Sequence, residues 1–233
     1  MSRDGTMQSL LASFNNPEAV KRYGDGPRRA VPGFADLHRM MAILLAERAP
    51  EHARVLVLGA GGGLELRALA DAQPGWTFVG VDPAAAMLDE AKRVLGRDLA
   101  RISFHEGYID DAPEGPFDAA TCLLTLHFLD AAERTRTVRE VRRRLRPGAP
   151  FVAAHSSFPQ GKGERALWLS RYAAFAVASG LGSEQAEKMR VAVGTNVPLL
   201  APEQDESILR EAGFSDVALF YAAFTWRGWV GYA

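Results

Sequence analysis

Two rhythms of apolar and polar residues divide most of the chain. Short apolar runs without polar alternation, clearest at 55–58 (Val-Leu-Val-Leu) and 78–81 (Phe-Val-Gly-Val), read as strands buried on both faces, as in a parallel sheet. On this reading strands cover 53–58, 76–81, 102–105, 117–124 and 151–155. Elsewhere apolar residues recur at helical spacing. Leu37, Met40, Met41, Leu44 and Leu45 form one apolar face before the first strand, and helices follow at 64–72, 84–95 and 131–145. Pro83 suits the first turn of the helix at 84–95, and Arg146-Pro147-Gly148 stops the one at 131–145. Alternation of strand and helix predicts a doubly wound parallel sheet.

The alternation breaks after the fifth strand. Residues 158–200 hold two further helical stretches: 166–177, rich in aromatics (Trp168, Tyr172, Phe175), and 183–193, with Ser183 as its cap. The segment is too short to bury a core of its own, so it reads as a helical cap inserted over the ligand end of the sheet. A helix at 202–212, stopped by Gly213, and a hairpin of strands at 216–223 and 226–232 close the chain. Residues 1–33 mix Gly, Pro, Asn and Arg with little periodicity; they read as an irregular arm with one short helix around 17–22. The predicted fold class is therefore α/β in a single domain, residues 1–233. It has a Rossmann-like, mostly parallel seven-stranded sheet, an antiparallel C-terminal strand and the cap at 158–200.

Composition narrows the partners more than the fold. With 233 residues, 48% hydrophobic and 24% charged, the chain has the make-up of an ordinary globular domain. A net charge of −1 supplies no global field toward nucleic acid or an anionic membrane. No run approaches the roughly eighteen apolar residues of a membrane span, and residues 1–6 lack a signal-peptide core, so a cytoplasmic location is expected. Cys122 is the single cysteine, which excludes a disulfide framework or a multi-cysteine metal site. His38, His52 and His105 share no ligand spacing, and no metal is expected.

The strongest chemical signal follows the first strand. Gly59-Ala60-Gly61-Gly62-Gly63 permits a sharp turn that a ligand can approach closely, with a helix N-terminus behind it. Asp82 stands nineteen residues after Gly63, at the end of the next strand, where a carboxylate can accept from both hydroxyls of a ribose. Counting from Gly59 along the dinucleotide fingerprint G-x-G-x-x-G, the last place is Leu64 rather than glycine. S-adenosylmethionine (SAM) has no pyrophosphate and tolerates bulk there. The predicted cofactor is SAM, or its product S-adenosylhomocysteine.

These features resemble the class I SAM-dependent methyltransferases: Gly59-Ala60-Gly61 is similar to their first motif, Asp82-Pro83 to their second, and Arg146-Pro147-Gly148 to the turn before their fifth strand. Within that superfamily the chain is similar to the carboxy-S-adenosylmethionine synthases, through Val31-Pro-Gly-Phe34, Thr125-Leu-His-Phe-Leu129 and Leu209-Arg-Glu-Ala-Gly-Phe214. Many relatives carry Gly-Asp after strand 3; here Gly107-Tyr108 implies that adenine is held by Tyr108, Ile109 and backbone, or by Asp110. Leu123 stands where the synthases have an asparagine near the cofactor, and Arg190 where they place an arginine associated with the ligand carboxylate. Tyr23 and Phe34 are candidates for a flap over the methionine end.

The predicted chemistry is in-line methyl transfer to a small molecule. A SAM-modifying synthase, a non-catalytic SAM-binding protein and an RNA methyltransferase are the alternatives. His155 and His127, at the ends of strands 5 and 4, are candidate bases; Tyr172 and Arg190, in the cap, are candidate acceptor contacts. Helix 131–145 carries Arg134, Arg136, Arg139, Arg142, Arg143 and Arg144 beside the apolar stripe Val138, Val141, Leu145. It reads as a solvated face rather than a nucleic-acid surface. A small-molecule substrate is expected, with no membrane partner, and a homodimer is left open.

Overall fold

A computed structural model describes Leu11, Ala12, residues 14–16, Val20 and residues 24–233. The short helix predicted around 17–22, and Tyr23, fall largely or wholly outside the described residues. Helices α1 (Gly26–Ala30) and α2 (Phe34–Ala46) precede the sheet. The sheet is then laid down through β1 (Arg54–Leu58), α3 (Leu64–Ala72), β2 (Thr77–Asp82), α4 (Ala85–Leu95), β3 (Ile102–Glu106), β4 (Ala119–Leu123), α5 (Ala131–Arg144) and β5 (Pro150–Ser156), strand and helix alternating except where β4 follows β3 through a loop. Two helices, α6 (Glu164–Ala178) and α7 (Ser183–Asn196), interrupt this order. The chain ends with α8 (Pro202–Glu211), β6 (Ser215–Ala223) and β7 (Trp226–Tyr232).

The sheet order is β3-β2-β1-β4-β5-β7-β6. Strands β1 to β5 pair in parallel, whereas β7 runs antiparallel to both β5 and β6. The last strand of the chain thus lies inside the sheet, and β6 forms its edge. Side-chain alternation gives each strand two destinations. Val55 and Val57 of β1 join the core with α2, α3 and α4 (Leu37, Met41, Leu66, Leu69, Leu88). Leu56 and Leu58 join that with α5 and α8 (Val138, Val141, Ile208, Leu209). Two faces covered by helices explain why β1 and β2 run apolar through their centres.

Several local expectations are corrected. Strand β4 is shorter than 117–124: Phe117 makes only an isolated bridge to Leu145, and Leu124 turns out of the sheet at φ 54°. Ser183 does not cap α7; the cap residue is Gly182, and no side chain bonds the free N–H groups there. The segment after β5 has a small core of its own, Phe158, Leu169, Val197 and Leu199, although Tyr172 packs into the main core and edge-on to Trp226.

Helix α5 departs most from expectation. Its stripe of Val138 and Val141 is buried, but so are Arg134 and Arg144. Arg134 pairs with the buried Asp205 of α8, and Arg144 with Glu140 at 2.5 Å. Arg136 pairs with Asp110 and Glu133, and Arg143 with Glu114 and Glu140. Arg134 and Arg144 are buried inside the fold, and Arg136 and Arg143, about half exposed, are matched by acids at the surface. They do not form a free basic face.

Candidate cofactor site

The glycine turn is built by left-handed backbone. Gly59, Gly61 and Gly63 have φ of 74°, 47° and 81°, a region that side chains with a Cβ rarely adopt. Two of them are also short of space. A Cβ on Gly59 would lie 2.0 Å from the Thr125 hydroxyl, and one on Gly63 would lie 2.9 Å from the backbone of Ala91 in α4. Gly63 therefore supplies the close helix approach, one residue earlier than the dinucleotide pattern places it, and Leu64 is free to begin α3. The turn is tied to β2 by the N–H groups of Gly59 and Ala60, both donating to the Val81 carbonyl.

Asp82 completes the turn from the neighbouring strand. One carboxylate oxygen accepts from Gly61 N–H and the other from Ala84 N–H, each at 2.9 Å. Burial raises its pKa above the ordinary carboxylate value, and those two backbone donors pull it back. Each oxygen keeps a lone pair for a further donor. Asp82 can therefore shape the turn and receive a ribose together.

Above the turn opens a cavity of about 790 Å³. Gly59, Gly61, Asp82, Pro83, Tyr108, Ile109 and Asp110 line it. Ala60, Leu123 and Phe34 line a side pocket of about 30 Å³ that shares Gly59 and Leu124 with the large cavity. Tyr108 is 48% exposed at the rim and Ile109 is buried. Sequence reasoning did not assign Thr125, Phe128, Leu129, Arg136, Thr137 or the stretch 195–198 to the site, and all of them line the cavity. Most come from the segment after β4 and the end of α7, which carry no glycine signature. Glu65 and His38 in the side pocket were also missed. The available signal was a carboxylate on the buried stripe of α3, beside Leu66 and Leu69.

None of His127, His155, Tyr172 and Arg190 lines either cavity. Arg190 faces outward on α7, paired with Glu187 on its own helix. His127 and His155 are 6% and 2% exposed. The Nδ1 of His127 accepts from Ser156 N–H at 3.4 Å, and burial, with His155 and Arg134 nearby, holds its pKa well below the ordinary value. The His155 Nε2 lies 3.2 Å from Asp205. Burial alone would raise the Asp205 carboxyl, but His155 and Arg134 hold it down to about 2. Arg134 also donates to the carbonyls of Leu129 and Pro198, both cavity-lining residues. The His155–Asp205–Arg134 cluster therefore braces the cavity wall from behind.

Among the described residues, no group of three or more His, Cys, Asp or Glu side chains is arranged to hold a metal ion. The left-handed turn, the acid at the end of β2 and the elongated cavity fit a nucleoside cofactor with no pyrophosphate. Together with a sheet whose β7 is reversed between β5 and β6, they define the class I SAM-dependent methyltransferase architecture.

Comparison with known proteins agrees. The methyltransferase-domain family matches residues 55–148, the stretch from β1 to the turn before β5. The carboxy-S-adenosyl-L-methionine synthase of Methylococcus capsulatus is 29% identical over 99% of this chain and 98% of its own. That of Chromohalobacter salexigens is 26% identical over 95% and 84% respectively. The structure of magnesium protoporphyrin IX methyltransferase from Synechocystis PCC 6803 with bound SAM has a TM-score of 0.67 at 16% identity, covering 97% of this chain and 96% of that one. The chain carries a methyltransferase domain over residues 55–148, shares the fold of SAM-dependent methyltransferases of known structure, and is similar in sequence to carboxy-S-adenosyl-L-methionine synthases. Among the described residues, no helix is long and apolar enough to cross a membrane.

Proposed function

We propose that this enzyme transfers the methyl group of SAM, in line, to a small-molecule acceptor. The observation that carries this reading is the size and lining of the cavity. At about 790 Å³ it lies high in the roughly 300–1,000 Å³ span of small-molecule sites, with room for a cofactor and an acceptor. Gly59, Gly61 and Asp82 would hold the nucleoside, with Tyr108 and Ile109 beside its base. Phe128, Leu129, Thr137, Thr195 and Asn196 would meet a partly apolar acceptor with a polar handle. SAM supplies a methyl group on a good leaving group. The chain's own work is to align the reactants and exclude water, and a base is needed only if the acceptor loses a proton. In this reading His127 and His155 are positioning residues, and Tyr172 and Arg190 meet the acceptor only if the segment 158–200 moves. A cytoplasmic location and a homodimer as the assembly to test belong to the same proposal.

The second reading, modification of SAM itself, is favoured by the relatives matched along nearly the whole chain. A carboxylated cofactor would need a cation. Among the described residues Arg136 is the one guanidinium lining the cavity, and it is already paired with Asp110 and Glu133. Mass spectrometry of the products formed from SAM with a pool of small acceptors separates the readings. S-adenosylhomocysteine with a methylated acceptor is expected. A carboxylated sulfonium would move the enzyme to the second reading, and retention of unaltered SAM would make it a binding protein.

A further inference from the structure

The side pocket beneath the glycine turn has a chemistry different from that of the main cavity. Phe34 and His38 of α2, Gly59, Glu65 of α3, Leu123 and Leu124 line it. Its two polar side chains are both buried, Glu65 at 6% and His38 at 7% exposure. The His38 Nδ1 lies 2.8 Å from the Phe34 carbonyl. A carbonyl can only accept, so Nδ1 carries the proton and Nε2 presents a lone pair. The Glu65 Oε1 has no hydrogen-bond partner. Native interiors seldom leave a buried carboxyl oxygen so. The pocket thus holds an unpaired carboxyl oxygen and an imidazole lone pair, in a space of about 30 Å³, above the roughly 10–15 Å³ that one water-sized group needs.

We propose that this pocket receives a primary ammonium group, with Glu65 as its counter-charge, and that Glu65 thereby selects cofactors carrying a free α-amino group. The inference rests on the cavity being the SAM site. The pocket shares Gly59 and Leu124 with that cavity, so the amino-acid end of a SAM molecule held by the glycine turn would lie beside it.

The electrostatics agree with the geometry. Burial pushes the Glu65 carboxyl up to about 8, against the weaker opposing pull of Thr121 and the Leu123 backbone. The ionisable groups around it are His38 of α2 and Cys122 of β4. Burial lowers His38, with Arg28 of α1 lowering it further, and burial together with Glu65 raises the Cys122 thiol. Among the described residues no cation is paired with Glu65. An arriving ammonium is the first, and it makes the carboxylate the favoured form. The carboxyl proton then passes to solvent, and no other bond changes.

Calorimetry at pH 7 in phosphate and in Tris, two buffers with different ionisation enthalpies, tests this. The probes are S-adenosylhomocysteine, which has the ammonium group, and 5′-methylthioadenosine, which lacks the amino-acid end. Wild-type protein should release close to one proton with the first probe and none with the second. Glu65→Gln should bind S-adenosylhomocysteine at least tenfold more weakly, release no proton, and bind methylthioadenosine as before. Glu65→Leu should behave alike if the glutamine variant does not fold. Unchanged S-adenosylhomocysteine affinity, equal weakening of both probes, or no proton release by wild type would each overturn the inference. If wild type binds neither nucleoside, the cavity assignment itself fails.

Discussion

At the scale of single residues, Asp82 carries two duties that a sequence motif merges into one. Its carboxylate accepts from Gly61 and Ala84 and so holds the turn open for a ligand, and it retains acceptor capacity for ribose hydroxyls. Hydrogen bonds to a charged group are worth roughly 1.5–3 kcal/mol each. Asp82→Ala should therefore weaken S-adenosylhomocysteine by about 100-fold or more and also lower the melting temperature, because Gly61 and Ala84 lose their acceptor. Calorimetry and thermal unfolding read the two effects separately. Intact affinity in a destabilised variant would put the ribose elsewhere and leave Asp82 as a scaffold residue. Leu124 belongs to this scale too. A left-handed leucine at φ 54° is strained, and it is held by its N–H donating to the Ala154 carbonyl, where the chain leaves β4 for the cavity wall.

Among the elements, the contact between α5 and α8 depends on a buried ion pair. Arg134 and Asp205 are each about 1% exposed at their side chains, and His155 of β5 joins them. Removing one partner of such a pair leaves a buried charge unmatched and costs about 3–5 kcal/mol. Asp205→Ala should destabilise the fold by that order, measured by urea unfolding, and should raise the KM for acceptor more than it lowers binding of SAM, since Arg134 anchors Leu129 and Pro198. A loss under 1 kcal/mol would mean that the pair contributes little. The pH dependence has a definite sign. The folded carboxyl sits near 2 against an ordinary 3.8, so the folded state binds its proton less readily than the unfolded one. Its stabilisation is present above about pH 4 and fades as pH falls toward 2, worth ~2 kcal/mol. The Asp205→Asn variant should lack that acid limb.

For the whole molecule, the question is how the cavity closes. The ends of two separate segments line one cavity: Leu11 and Phe14 from the N-terminal arm, and 195–198 from the end of α7. The segment 158–200 has a small core around Phe158, Leu169 and Val197, and Tyr172 and Trp226 join it to the sheet. We expect it to tighten as a unit when cofactor binds. Hydrogen exchange with and without S-adenosylhomocysteine should show added protection at 195–198 and in the arm, with β1, β4 and β5 unchanged. Equal exchange in both states would make the cover a fixed wall.

What the amino-acid order settles by itself is whatever depends on neighbours along the chain. Apolar runs marked the central strands to within one or two residues, because a strand buried on both faces, as Val55–Leu58 of β1, is apolar on both sides. The glycine turn and Asp82 were legible for the same local reason: left-handed backbone needs glycine, and a strand-end acid lies a fixed distance beyond. Contacts between remote elements were not legible. The pairing of Arg134 with Asp205 joins residues 71 positions apart, so a helix that reads as a solvated basic face proves to be partly buried and charge-matched. The sequence puts His155 near the end of β5 and His127 in the turn that follows β4, yet which way they face depends on α5, α8 and β7 packing around them. Glu65 looks in sequence like an ordinary polar residue in the first turn of a helix. Only when α2 and β4 close over it does it become a buried carboxyl with one oxygen unpaired, because burial is a property of the assembled fold.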